Sequence, residues 1–176
     1  TMVNIMAGIY SPDSGVIRIK NKVTEFHSPD DAIKNGIGMV HQHFKLVNVF
    51  SAMENIILGQ KENFFIHKND ARNKILELEN KYSFSIDPDK KIYSMSVSEK
   101  QTVEILKMLY QGAELLILDE PTAVLTPQET QKLFAVLRKM KEAGCSVIII
   151  THKLNEVMEI SDRVAVLRKG SYAGTV

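Results

Sequence analysis

Tryptophan is absent from the 176 residues, and cysteine occurs once. The single Cys145 excludes an internal disulfide and fits a reducing compartment, and its plainest role is that of a small buried apolar residue ahead of a strand. Long hydrophobic runs are missing too: Leu115–Leu118 and Val147–Ile150 fall far short of the ~20 apolar residues that a bilayer-spanning helix needs. Charge of one sign is scarce, since 22 Lys+Arg against 21 Asp+Glu leaves a net charge of +1. No global field therefore draws nucleic acid or anionic lipid. The opening residues show no basic-then-apolar leader pattern, and the chain has neither internal repeat nor low-complexity linker.

What is present is globular. The chain is 44% hydrophobic and 24% charged, near the average for folded domains. Its length predicts one domain with room for a small inserted subdomain.

Met2, Ile5, Met6 and Ile9 fall at helical spacing, and no N-cap stands before Thr1, so Thr1–Tyr10 reads as the tail of a helix. Ser11–Gly15 is a turn, Val16–Ile19 a strand, and Val23–Phe26 its expected hairpin partner. Ser28-Pro29 opens a short helix that Gly36 closes, and Ile37–His41 is a strand. Ser51–Leu58, Asn69–Tyr82 and Ser98–Tyr110 read as helices, with Ile86–Ser94 irregular. Residues 51–110 are therefore expected to form a helical subdomain inserted in an α/β core made of 1–50 and 111–176. After it come a strand at Leu115–Leu118, a helix at Pro127–Glu142, a strand at Ser146–Ile150, a helix at Lys153–Ile160 and a strand at Arg163–Leu167. Uninterrupted apolar strands between helices predict a parallel sheet covered on both faces.

Three strand ends carry chemistry. Leu115-Leu116-Ile117-Leu118 runs into Asp119-Glu120-Pro121, putting two carboxylates at the C-terminal end of a buried strand, where α/β sheets bind ligands. Asp119 suits a Mg²⁺ shell and Glu120 suits a base that polarises water; a solvated acidic turn is the plain alternative. Ile148-Ile149-Ile150 leads to Thr151-His152, where an imidazole can touch phosphate or serve only as a structural hydrogen-bonder. Val40 leads to His41-Gln42-His43-Phe44, and the Gln42 amide oxygen can join a metal shell. His41 and His43 lack the further ligands of a zinc site. Taken together, these strand ends suggest a phosphoryl-transfer site. The phosphate cradle G-x-x-x-x-G-K-[ST] that such a site uses is not found in the 176 residues.

These residues resemble the nucleotide-binding domain of ABC transporters over nearly the whole chain. Thr1–Tyr10 with Pro12-Asp13-Ser14-Gly15 is similar to the helix and turn after Walker A, Gln42 to the Q-loop, and Leu115–Glu120 to Walker B. Ala123-Val124-Leu125-Thr126 is similar to the D-loop and His152 to the switch histidine. Met95-Ser96-Val97-Ser98-Glu99-Lys100-Gln101 stands where the family signature L-S-G-G-Q is usual, with Ser98 in place of a glycine. The stretches Gly36–Phe44 and Asp119–Glu129 resemble the first half of duplicated ATP-binding subunits of simple-sugar and nucleoside importers, and the His-Gln-His-Phe wording leans toward the nucleoside branch.

The resemblance implies a P-loop NTPase-like α/β core, truncated at its N-terminus directly after Walker A, with ATP and Mg²⁺ as ligands. Thr1, Ser96, Ser98 and Asp119 would bind nucleotide, Asp119 and Gln42 the metal, and Glu120, His152 and Gln42 would carry hydrolysis. Implied partners are membrane-spanning transporter subunits, a second nucleotide-binding domain downstream in the same longer chain and, indirectly, a substrate-binding protein. Nucleic acid is not among them. The implied location is the cytoplasmic face of the cell membrane. Two other readings stand beside this one: a non-transport ABC ATPase working on DNA or ribosomes, and a catalytically degenerate structural half. The 176 residues alone are expected not to hydrolyse ATP and to expose apolar surface where a sheet strand would lie.

Overall fold

The computed structural model describes residues 2–59 and 68–176. Its centre is a parallel sheet of three strands, β3 (Ile37–Val40), β4 (Leu115–Asp119) and β5 (Ser146–Ile150), in that spatial order. Before it come helix α1 (Met2–Met6), the hairpin β1 (Ile17–Ile19) and β2 (Lys22–Thr24), and helix α2 (Pro29–Lys34). Between β3 and β4 lie helices α3 (Ala52–Ile57), α4 (Lys68–Tyr82) and α5 (Val97–Tyr110), with one 3₁₀ turn at Ile92–Ser94. Helix α6 (Pro127–Glu142) links β4 to β5, and α7 (Leu154–Ile160) leads to the hairpin β6 (Ala165–Arg168) and β7 (Ser171–Thr175).

The helix starts are written locally. Ser28 accepts from the Asp31 N–H and Pro29 occupies the first turn of α2. Ser51, Ser96 and Thr126 each close a capping box, with Glu54, Glu99 and Glu129 reaching back to the cap N–H. Each box satisfies two backbone donors that the helix cannot.

Strand alternation divides the sheet between two cores. Ile37, Met39, Leu115, Ile117, Ile148 and Ile150 join Val3, Met6, Ile17, Phe26 and Ala32 on one side. Val40, Leu116, Leu118, Val147 and Ile149 join the helical layer on the other, in one cluster with Ile56, Ile75, Leu106 and Phe134. The helices between β3 and β4 thus share a continuous core with the sheet. Leu116, Ile117 and Leu118 are fully buried, each contributing roughly 1.5–3 kcal/mol of transfer free energy.

Two expectations are revised. The partner of β1 is Lys22–Thr24 rather than Val23–Phe26, in the register Ile17↔Thr24. Lys20 and Asn21 both take positive φ, 48° and 65°, which makes a two-residue turn whose twist suits a hairpin, so pairing starts directly after it. The last predicted strand lies at Ala165–Arg168 and does not join the parallel sheet. It pairs antiparallel with β7 across Lys169-Gly170, again with positive φ at both residues. Among the described residues, β5 has β4 as its only strand neighbour. Large apolar side chains stand exposed in the last third of the chain, including Leu154 and Met158 on α7 and Leu167 on β6.

Gly38 sits on the face of β3 that meets α5. A Cβ there would lie 2.8 Å from the Met108 Cβ and 3.1 Å from the Ala113 Cβ, atoms that no rotamer change can move. Gly38→Ala is therefore expected to lower unfolding free energy by about 1–3 kcal/mol through overpacking. Thermal unfolding of the variant with an unchanged midpoint would show that the strand and α5 can separate freely.

Candidate functional site

The apolar residues of β4 hold it in the middle of the sheet and end at Asp119. The next residue, Glu120, leaves the strand with φ +48°, a left-handed backbone that costs a side-chain-bearing residue energy. Its N–H donates to the Ile150 carbonyl at 2.9 Å, which ties the end of β4 to the end of β5. That tie brings Glu120 Oε1 within 2.8 Å of His152 Nδ1. The carboxylate side chain is 20% exposed and the imidazole 77%. Glu120 Oε2 is buried and has no hydrogen-bond partner among the described residues.

Gln42 reaches the same edge from β3. Asp119, Glu120, Gln42 and His43 line one small cavity of about 80 Å³, with Gln101 and Val124. That volume suits a few water molecules rather than an enclosed nucleotide. The structure thus brings Gln42, Asp119, Glu120 and His152 together at one end of the sheet. Ser96 and Ser98 do not line this cavity: Ser96 is the exposed N-cap of α5 and Ser98 lies half-buried in its first turn. Thr1 lies outside the described residues.

The segment that carries Gln42 is held by buried polar side chains. Glu104, on α5, accepts from the Lys45 N–H at 2.6 Å. Fully buried Asn55 accepts from the Val47 N–H at 2.7 Å and donates to the Val47 and Ser51 carbonyls. Burial pushes the His41 imidazole below its ordinary 6.5; Lys45 pushes the same way and Asp119 opposes both. Among the described residues no three His, Cys, Asp or Glu side chains gather into a metal cage. One or two carboxylates with an amide oxygen still fit Mg²⁺, which binds few protein ligands and completes its shell with phosphates and water. The unpartnered Glu120 Oε2 fits the same edge, because a polar ligand or water would satisfy it.

Gln101 was not anticipated as a cavity residue. It is buried, and its Nε2 donates to the Pro121 carbonyl at 2.9 Å, joining α5 to the turn after Glu120. Its sequence signal was a polar residue in the same helical register as Ile105 and Met108.

The sequence profile of the ABC transporter family matches residues 1–123. The nucleoside import ATP-binding protein NupA of Lactococcus lactis is 46% identical over 178 residues, covering 100% of this chain and 35% of its own length. The glucose import ATP-binding protein of Haloferax volcanii is 41% identical over 206 residues, covering 100% of this chain and 38% of its own length. The chain therefore spans little more than a third of these curated relatives. A dimeric bacterial ABC transporter cassette of known structure superposes with a TM-score of 0.81 at 25% identity, over 99% of this chain and 78% of that one.

Burial raises the Glu104 carboxyl above its ordinary 4.5, with the Lys45 N–H and lysine charges opposing in part. A raised folded-state value means that the unfolded chain ionises first. The stability tied to the protonated form is present below pH 4.5 and is lost as pH climbs through the folded-state value. Glu104→Gln keeps the acceptor and stays neutral. The unfolding free energy of wild type minus that of the variant, from urea titrations between about pH 4 and about pH 7, is expected to fall as pH rises. A difference independent of pH would mean that the buried carboxyl is not perturbed.

Proposed function

The chain belongs to the ABC transporter family, and on that premise we propose that it binds and hydrolyses ATP to power an importer of nucleosides or simple sugars. The observation that carries the proposal is Glu120: one carboxylate oxygen held by His152, the other buried, unpartnered and beside Asp119 and Gln42. The match of nucleoside and glucose import proteins along the full chain supports the substrate class.

Each residue has a task in this reading. Glu120 Oε2 accepts a proton from the water that attacks the terminal phosphate, while His152 Nδ1 fixes the other oxygen and so the direction of the free one. His152 Nδ1 lies 2.8 Å from Glu120 Oε1, and its exposed ring is left to contact a phosphate oxygen. Asp119 and the Gln42 amide oxygen would hold Mg²⁺, which when bound would neutralise phosphate charge. The Ser96 hydroxyl accepts from the Glu99 N–H and keeps its own proton to donate. Lying outside the cavity, Ser96 and Ser98 serve the ATP of an opposing nucleotide-binding domain when two domains close face to face.

Closure passes to membrane-spanning subunits through residues 42–50, where Val49 is 67% exposed and Phe50 36%. The second nucleotide-binding domain follows in the same longer polypeptide, and the substrate-binding protein acts through the membrane subunits. No helix among the described residues is long and apolar enough to cross a membrane; the domain attaches peripherally at the cytoplasmic face. Residues 51–110 form the inserted helical subdomain and 1–50 with 111–176 the ATPase core. Ser98 favours a second reading, a degenerate half, because a side chain stands where the family brings backbone against phosphate.

In the intact subunit Glu120→Gln is expected to lower ATP turnover by roughly 10²–10⁴-fold, the range for loss of a general base. Unchanged turnover would remove Glu120 from that role and favour the degenerate reading. The 176 residues alone hold no Gly-rich cradle or its lysine, so calorimetric titration with Mg-ATP is expected to show no micromolar binding. Micromolar binding would mean that the strand-end residues suffice.

A further inference from the structure

A buried carboxylate between the strand ends of Glu120 and His152 has no task in the reading above. Glu156, on α7, is 9% exposed. Its Oε2 accepts from Thr122 Oγ1 at 2.6 Å and from Thr151 Oγ1 at 3.2 Å. Its Oε1 lies 3.1 Å from Lys153 Nζ. Lys153 in turn donates through Nζ to the Thr122 carbonyl at 3.0 Å and through its backbone N–H to Thr151 Oγ1 at 3.1 Å. Thr122 is fully buried and follows Pro121; Thr151 directly precedes His152. One carboxylate thus joins the turn that leaves β4 to the turn that leaves β5.

Apolar packing holds α7 at its far end, where Ile160 meets the core, and not at the end that carries Glu156. On α7, Leu154 is 71% exposed and Met158 79%, so the helix is anchored poorly through them. The left-handed backbone at Glu120 also persists only if its surroundings over-determine it. Hydrogen bonds supply that determination: Glu120 N–H to Ile150, Gln101 to Pro121, and Lys153 to Thr122. Glu156 holds Lys153 and both threonines in place, which makes it the node of the network.

We propose that Glu156 is a positioning residue for hydrolysis, setting the separation of Glu120 and His152 by clamping the two turns that carry them. The proposal rests on the ATPase reading. Glu156 is buried and does not line the cavity beside Asp119 and Glu120, so its removal is expected to affect the chemical step more than substrate binding.

The test is steady-state ATP hydrolysis by the intact ATP-binding subunit, comparing wild type with Glu156→Ala, Glu156→Gln, Thr151→Val and Thr151→Ser, each checked by thermal unfolding. Glu156→Ala and Thr151→Val are expected to lower kcat about tenfold or more, with KM for ATP within about twofold. Thr151→Ser, which keeps the hydroxyl, and Glu156→Gln, which keeps an acceptor oxygen, are expected to recover part of that loss. If Glu156→Ala loses its unfolding transition, the half-buried Thr151 variants decide, since Thr151→Val keeps the side-chain shape and removes the hydroxyl, while Thr151→Ser keeps the hydroxyl. Wild-type kcat in folded Thr151→Val and Glu156→Ala overturns the positioning role while leaving the ATPase reading intact. No hydrolysis by the wild-type subunit overturns the ATPase reading, and this proposal with it.

Discussion

The parallel ladder of β3, β4 and β5 pairs Val40 with Leu118 and Leu118 with Ile149, so all three strands run out at one level. Every group at the candidate site depends on that register. Gln42 follows β3, Asp119 and Glu120 end β4, and His152 follows β5. Slipping one strand by a single residue would turn its apolar set to the opposite face and exchange the partners of two cores. The same burial that fixes the register therefore fixes the meeting of the polar groups, because strands buried on both faces cannot slide without exposing Leu116, Ile117 or Leu118.

Around that edge the chain accepts local cost. Glu120 adopts positive φ and keeps one buried oxygen without a partner. Glu104 is buried with its carboxyl raised, and Asn55, Gln101 and Thr122 are polar side chains under the surface. Each polar group placed there needs a specific partner, since an unsatisfied one costs about 1–3 kcal/mol. For Glu104, Asn55 and Gln101 the partners include backbone groups of the loops that leave the strands, at Lys45, Val47 and Pro121, while Thr122 donates to the Glu156 carboxylate. Such bonds rigidify loops that apolar packing leaves free, and they aim the groups that meet a ligand.

Much of this was legible residue by residue. The start of α2 followed from Ser28 because a cap is a contact between neighbours in sequence, whereas α5 begins at Val97 behind its cap Ser96, ahead of the start expected at Ser98. The bounds of α6 and β5 matched the pattern because Pro127 opens the helix and Gly144 separates it from an unbroken apolar run. The hairpins were read less well. Turn geometry at Lys20-Asn21 and Lys169-Gly170 rests on left-handed backbone at lysine, which composition does not favour. The placement of β6 outside the parallel sheet was invisible for a related reason: an apolar run does not reveal its neighbour.

Sequence alone determined the order of helices and strands and the chemical types at the strand ends, since periodicity, capping and side-chain identity are local properties. Tertiary structure decided the rest. The Glu120–His152 contact joins residues far apart in the chain, Gln101 reaches Pro121 from another element, and Glu156 gathers Thr122, Thr151 and Lys153 into one network. Distances between such groups follow from how the layers pack, and no local pattern encodes a packing distance.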